Sequence, residues 1–142
     1  MMSVHLELEY PSEIASEAKL VQRLRELFAA NHVSSDEQRA FTLAVSEAFT
    51  NALIHGNQFD PDKTIKICLD INESSLRADI IDQGRNGLRD VNQPRQTDPL
   101  ADGGRGIGLM ERYVSEVQFE QTGDGGLKVS ITLERKQLTN IE

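Results

Sequence analysis

Apolar and polar residues alternate along residues 4–10, at the start of the chain. A period of two indicates a half-buried strand, which Pro11 ends. From residue 14 to about residue 30 the apolar residues instead recur at three- and four-residue steps, which predicts an amphipathic helix. Ser12 can cap the start of this helix.

A second helix is predicted to follow and to run to about His55. Two capping boxes are possible at its start, because Ser34 is followed by Glu37 and Ser35 by Gln38. A glycine directly after His55 provides a C-terminal stop for the helix.

One edge of the second helix carries three polar side chains at four-residue spacing, namely Glu47, Asn51 and His55. This spacing stacks side chains on one face of an α-helix, here beside the apolar stripe that faces the core. The helix alone leaves two interpretations open. The edge is either a solvated polar surface or part of a site from which water is partly excluded.

The remaining alternation predicts two hairpins. Residues 64–71 and 76–82 form the first across a short polar turn, and residues 117–121 and 127–133 form the second across a glycine-rich turn. With a short third helix from Ile107, about five strands and three helices predict an α+β fold. The sheet is expected to be mixed but mostly antiparallel, with the helices on one face.

Composition limits the classes of partner. The formal net charge of -8 disfavours direct binding to nucleic acid or to an anionic membrane, since both prefer a basic surface. The single Cys68 excludes an internal disulfide and a cysteine-rich zinc site. No signal pattern follows Met1 and no apolar run reaches membrane-spanning length, so one cytoplasmic domain over residues 1–142 is expected.

The strand at residues 76–82 ends on an unusual polar residue. Its inward phase continues to Asp82, and an inward carboxylate costs several kcal/mol unless it is hydrogen-bonded. Gly84 and Gly87 follow, and glycines permit close approach of the backbone to another group. The segment is either a strand end with a turn or an acceptor directed at a ligand donor.

A polar stretch without a clear period, residues 88–102, separates this segment from a run of glycines. Such a segment inside a compact domain suggests a lid over a ligand. Gly104, Gly106 and Gly108 then lead into the short third helix, where backbone N–H groups favour an anion. The spacing fits neither the dinucleotide fingerprint nor the Walker loop, so phosphate remains one interpretation.

Three motifs in this order resemble the N, G1 and G2 boxes of the GHKL (Bergerat-fold, histidine-kinase-like) ATP-binding domains. They are Glu47-x3-Asn51, Asp82-x-Gly84-x2-Gly87 and Gly104-x-Gly106-x-Gly108-Leu109. The phrases TNALIHGN and GGRGIGLM resemble most the anti-sigma-factor serine/threonine kinases of bacteria. The resemblance spans about residues 4–133. It implies a two-layer α/β sandwich with an ATP lid over about residues 84–108.

The resemblance implies roles for the polar residues. Asn51 would bind the Mg²⁺ that bridges the phosphates, and Asp82 would accept a hydrogen bond from the adenine amino group. Glu47 would be the general base for a serine or threonine hydroxyl. Arg105 would neutralise phosphate charge, and His55 would support the phosphate side.

The remaining nucleotide-binding positions that the resemblance implies allow close approach of the base, the ribose and the phosphates. They are Gly84, Gly87, Gly104, Gly106, Gly108 and Leu109.

Many relatives also carry a threonine early in the last strand that helps to bind adenine. Here the corresponding residues are Leu127-Lys128-Val129-Ser130, so Ser130 either takes its place with a shifted register or the contact is missing.

The implied function is an ATP- and Mg²⁺-dependent protein serine/threonine kinase. It would sequester a sigma factor and phosphorylate a STAS-type anti-sigma-factor antagonist, and the resemblance also allows a homodimer. The alternative is a non-catalytic ATP-binding module that switches between partners. Glu47 favours the kinase, because a module that only binds nucleotide needs no base beside the metal ligand. A sensor histidine kinase domain and a water-activating ATPase are less favoured, because such proteins normally carry further segments.

Overall fold

A computed structural model describes residues 3–85 and 113–136, which form a five-stranded sheet and two α-helices. The elements in chain order are β1 Val4–Pro11, α1 Ile14–Ala30, α2 Ser35–Asn51, a π-helical turn Ala52–Gly56, β2 Thr64–Ile71, β3 Ser75–Ile81, β4 Glu116–Gln121 and β5 Leu127–Glu134. The strand order is β1-β2-β3-β5-β4, and each neighbouring pair is antiparallel. The predicted α+β class is confirmed. The third predicted helix begins at Ile107, outside the described ranges.

Alternation along the strands produces a sheet with one buried face. On β2 the side chains of Ile65, Ile67 and Leu69 are fully buried, whereas those between them are not. The register places Ile67 opposite Ile80 of β3, so the apolar side chains of neighbouring strands lie on the same face. The core residues of α1 and α2 cover this face, and α2 packs against β3 and β5. Burial of this apolar surface is the main stabilising contribution.

The two helix starts differ from each other. The first of the two possible capping boxes of α2 is confirmed, with Ser34 Oγ accepting from Glu37 N–H at 3.2 Å and Glu37 Oε1 accepting from Ser34 N–H at 3.4 Å. The prediction that Ser12 caps α1 is wrong, since the N-cap is Glu13 and makes no side-chain bond. Ser12 is buried, and its hydroxyl donates to the carbonyl oxygen of Lys63 at 2.8 Å. A buried carbonyl needs a donor, and Ser12 supplies it.

Arg135, just after β5, joins three segments at the end of β3 opposite Asp82. Its guanidinium group donates to the carbonyl oxygens of Asn72 at 2.8 Å and His32 at 3.2 Å, and it pairs with Glu37 at 3.6 Å. The side chain is only 9% exposed. Arg135 therefore fastens the start of α2 to the β2–β3 turn.

Arg135→Ala is expected to lower the free energy of unfolding by about 2–3 kcal/mol, because two carbonyls and a carboxylate lose a shared buried donor. Denaturant unfolding measures the change. Arg23→Ala is the control, because its pair with Glu26 is exposed and spans 3.7 Å. Such a pair is worth less than about 1 kcal/mol. Equal effects of the two substitutions would contradict the assigned role of Arg135.

Candidate active site

The helix that carries the predicted site residues changes from α to π geometry directly after Asn51, which is one of those residues. The π turn covers Ala52–Gly56, and the N–H of Asn57 closes it by donating to the Ala52 carbonyl at 2.8 Å. π turns are rare and are found frequently at functional sites. The last turn of the predicted second helix is therefore present, but it is wound more widely than an α-helix.

His55 differs from the other two polar residues in its helix geometry and in its exposure. Glu47 and Asn51 lie four residues apart within α2, on one face, and both are half-buried. His55 lies in the π turn and is exposed. Glu47 and Asn51 thus share one face of α2 as predicted, and the place of His55 relative to them stays a prediction.

The polar atoms of Glu47, Asn51 and His55 are free of structural contacts within the described part of the chain. No hydrogen bond or ion pair joins these three side chains to another described residue.

Within the described part of the chain, neither helix has the length and the apolar character that a membrane-spanning segment requires.

Asp82 is the buried polar residue next to the end of this helix. Its side chain is 4% exposed, which confirms the predicted inward direction. Oδ1 accepts hydrogen bonds from the N–H of Gly84 at 2.9 Å and from the N–H of Leu127 at 3.0 Å. These two bonds offset part of the cost of burying the carboxylate. Among the described residues both bonds end on Oδ1, so Oδ2 is the oxygen that remains for a ligand.

Burial raises the pKa of the Asp82 carboxyl above its usual value, and the N–H groups of Gly84 and Leu127 offset this only in part. A raised pKa in the folded state means that the group stabilises the fold at low pH and that this stability is lost as the pH rises through the raised value. At neutral pH the ionised Asp82 therefore destabilises the fold. Such a cost is typical of a group that serves a ligand.

Three glycines let the backbone approach Asp82. A Cβ atom at Gly56 would overlap Asp82 Oδ2, one at Gly84 would overlap the carbonyl oxygen of Gly56, and one at Gly126 would overlap the carbonyl oxygen of Asp82. The π turn, the end of β3 and the start of β5 therefore converge on a single carboxylate. Gly84 was predicted as a site residue. The sequence predicts Gly56 only as a helix stop and Gly126 only as part of a turn. Both nevertheless pack against Asp82.

Gly56→Ala is expected to displace the Asp82 side chain, to lower stability by about 1–3 kcal/mol through overpacking, and to weaken nucleotide binding. Titration with a fluorescent ATP analogue measures the affinity. Gly123→Ala is the matched control, because a Cβ atom there meets no atom within 4 Å. Binding that is equally strong in both variants would show that the position of Asp82 does not matter.

The last strand meets Asp82 through Leu127 and not through Ser130. Ser130 pairs with Asp79 in the β3–β5 register, which places both on the face of the sheet away from the core. Leu127 lies on the core side, and its N–H reaches Asp82 Oδ1. The register thus places Ser130 on the face opposite to that of Leu127, and a contact of Ser130 with adenine stays a prediction.

Several predicted positions lie outside the described residues. They are Gly87, Gly104, Arg105, Gly106, Gly108 and Leu109, with most of the predicted lid. Their roles remain predictions.

Comparison with known proteins identifies the class. The sequence matches the histidine kinase-like ATPase domain family over residues 10–133. It is 31% identical over 131 residues to an anti-sigma F factor of Geobacillus stearothermophilus, which covers 89% of this chain and 88% of the relative. The chain belongs to the histidine kinase-like ATPase family, among the anti-sigma-factor serine/threonine kinases. This ATPase domain is also 32% identical over 107 residues to the serine-protein kinase RsbW of Bacillus licheniformis, across 70% of this chain and 66% of that protein.

Solved structures agree on the fold of this histidine kinase-like domain. The SiaB-SiaC complex from Pseudomonas aeruginosa matches with a TM-score of 0.67 at 13% identity, over 90% of this chain and 88% of that one. The RsbU and RsbW domains of a Mycobacterium tuberculosis protein match with a TM-score of 0.65 at 21% identity, over 94% of this chain but 34% of that polypeptide. At such identities the likeness concerns the fold alone. The predicted family and fold are confirmed, and ATP is the nucleotide that the family binds.

Proposed function

We propose that this chain is an ATP-dependent protein serine/threonine kinase that phosphorylates an anti-sigma-factor antagonist and sequesters a sigma factor. One observation carries the proposal. A buried carboxylate, Asp82, is held by two N–H groups on one oxygen and lies against the end of the helix that presents Glu47 and Asn51. A carboxylate that is costly to bury is thereby fixed at the end of a helix on which Glu47 and Asn51 have no hydrogen-bonding partner among the described residues.

The nucleotide would lie along this helix end. Oδ2 of Asp82 would accept a hydrogen bond from the adenine amino group, a donor that guanine does not offer at that position. Asn51 precedes Gly56 by five residues, which is about one turn of the π-helical segment. This offset supports a role for Asn51 at the phosphates, away from the base.

Asn51 would bind Mg²⁺ through its amide oxygen, a hard ligand that suits this ion. Among the described residues no cluster of three His, Cys, Asp or Glu side chains is placed to hold a metal. Mg²⁺ commonly takes one or two protein ligands, with phosphate oxygens and waters completing its shell. When bound, the ion supplies charge stabilisation to the phosphates.

Glu47 would act as the general base. It would accept the proton of a serine hydroxyl while the hydroxyl oxygen forms a bond to the γ-phosphorus and the bond to the ADP oxygen breaks. Glu47 lies one helical turn before Asn51, on the same face. A base at this place would lie one helical turn from the proposed metal ligand.

The partner assignment rests on the relatives. Two of them are named anti-sigma F factor and serine-protein kinase, and a structural neighbour is solved as a SiaB-SiaC complex. We extend these names to a sigma factor and a STAS-type antagonist as partners of this chain.

Incubation with γ-labelled ATP, Mg²⁺ and purified candidate antagonists tests the proposal. We expect the label to appear on a serine or threonine of one antagonist, and EDTA to abolish the transfer because the metal is required. Tight ATP binding without transfer to any antagonist would instead favour the non-catalytic partner-switching module. Absence of ATP binding would exclude both functions.

A further inference from the structure

Asn57, the residue after the π turn, has a side chain that is only 1% exposed. Its Oδ1 accepts from the N–H of Gln83 at 2.7 Å, and its Nδ2 donates to the carbonyl of Thr64 at 2.9 Å and to Ser12 Oγ at 2.8 Å. One buried amide thus joins the end of the helix to three other segments. Asn57 is the last residue of the phrase TNALIHGN, but none of the roles proposed above involves it.

Gln83 closes the arrangement, because its side-chain oxygen accepts from the N–H of Thr64 at 2.7 Å. Asn57, Gln83 and Thr64 therefore form a closed ring of three hydrogen bonds, which we call the Asn57 clasp. Ser12 lies beside the clasp and has no bond to Gln83. A closed ring resists relative movement better than separate bonds, since each partner limits the others.

The clasp holds both sides of the contact between Asp82 and Gly56. Gln83 directly follows Asp82, and Asn57 directly follows Gly56. The bond between Asn57 Oδ1 and Gln83 N–H therefore fixes the end of β3 relative to the π turn. Any shift between these two segments would move Oδ2 of Asp82, the oxygen assigned above to the ligand.

We infer that Asn57 is a positioning residue that sets adenine selectivity by holding the Asp82 carboxylate against Gly56. This inference rests on the proposed function, because it requires that Asp82 accepts from the adenine amino group. Hydrogen bonds weaken steeply with misalignment, so the position of Oδ2 determines how strongly the amino group is recognised. Contacts to the ribose and the phosphates do not depend on this oxygen.

The test compares ATP with the analogue that carries hydrogen in place of the 6-amino group. The parent protein is expected to bind ATP more tightly than this analogue. In Asn57→Ala the ratio of the two dissociation constants should fall by about fivefold, the value of one hydrogen bond. A purely structural role would weaken both ligands equally and leave the ratio unchanged.

Ser12→Ala is the matched control, since it removes a buried partner of the same amide but leaves the bond to Gln83. It should lower the melting temperature and keep the parent ratio. Asn57→Asp retains an oxygen for the Gln83 N–H but sets a second oxygen against the Thr64 carbonyl, so it should open the ring and lower the ratio as Asn57→Ala does. A parent-like ratio in Asn57→Ala, or an equal loss of selectivity in Ser12→Ala, would overturn the inference.

Hydrogen exchange of the parent protein supplies a test that does not depend on the folding of a variant. ATP should slow exchange of the Gln83 amide more than the analogue does at equal saturation, and equal slowing would contradict the inference. If the parent binds both nucleotides equally, the role of Asp82 in the proposed function fails. If the parent prefers ATP and only the Asn57 results disagree, the inference alone fails.

Discussion

Glu47→Gln is expected to reduce phosphate transfer to the antagonist by about 10²–10⁴-fold, the contribution typical of a general base. The amide retains the shape of the side chain but cannot accept the hydroxyl proton at neutral pH. Glu47 is half-buried on α2 and has no hydrogen-bonding partner among the described residues, so the fold should not depend on its charge. ATP affinity is expected to stay within about twofold of the parent value, because the base acts in the transition state.

Single-turnover transfer from labelled ATP, at saturating nucleotide and antagonist, separates the chemical step from binding. Glu26→Gln is the control, because Glu26 is an exposed acid of α1 that the site does not use. The control should transfer at the parent rate. Parent-like transfer by Glu47→Gln would exclude Glu47 as the base.

Asp82→Asn should have opposite effects on binding and on stability. ATP affinity should fall by about 10–100-fold, because the new amide nitrogen would present a donor to the adenine amino group, which is itself a donor. The melting temperature of the nucleotide-free protein should rise at neutral pH, since the substitution removes a buried charge whose burial raises the pKa of Asp82. The amide oxygen can still accept from Gly84 and Leu127.

Thermal unfolding with and without ATP, across pH, measures both effects. In the parent protein ATP affinity should fall on acidification at a pH above the usual pKa of an aspartate, because the folded pKa of Asp82 is raised. The Asp82→Asn variant should lack this loss of affinity. A variant that is less stable than the parent and binds ATP equally well would contradict the account of Asp82.

The elements that follow from local pattern were predictable from the sequence. Alternation identified β2 and the inward direction of Asp82, and serine–glutamate spacing identified the capping box of α2. The hairpins followed from turn residues between alternating runs. These features depend on residues that are close together in the chain, so a short stretch of sequence is enough to predict them.

The features that the sequence did not reveal depend on distant contacts. Asn57 bonds Gln83, 26 residues away, and Ser12, 45 residues away. Spacing along the chain does not indicate such partners, so Ser12 was predicted as a helix cap and Gly56 only as a stop. The π turn also has no local signature, so the sequence alone predicts an unbroken helix to His55.

Titration of ¹⁵N-labelled protein with Mg-ATP, followed by NMR, tests the location of the nucleotide most directly. The account predicts saturable shifts that are largest for the Gly84 and Leu127 amides, which bond Asp82, and for the side-chain amide of Asn51. The amide of Arg135, at the opposite end of β3, should not move. Saturable binding that shifts the Arg135 region and leaves Gly84, Leu127 and Asn51 unchanged would contradict the account.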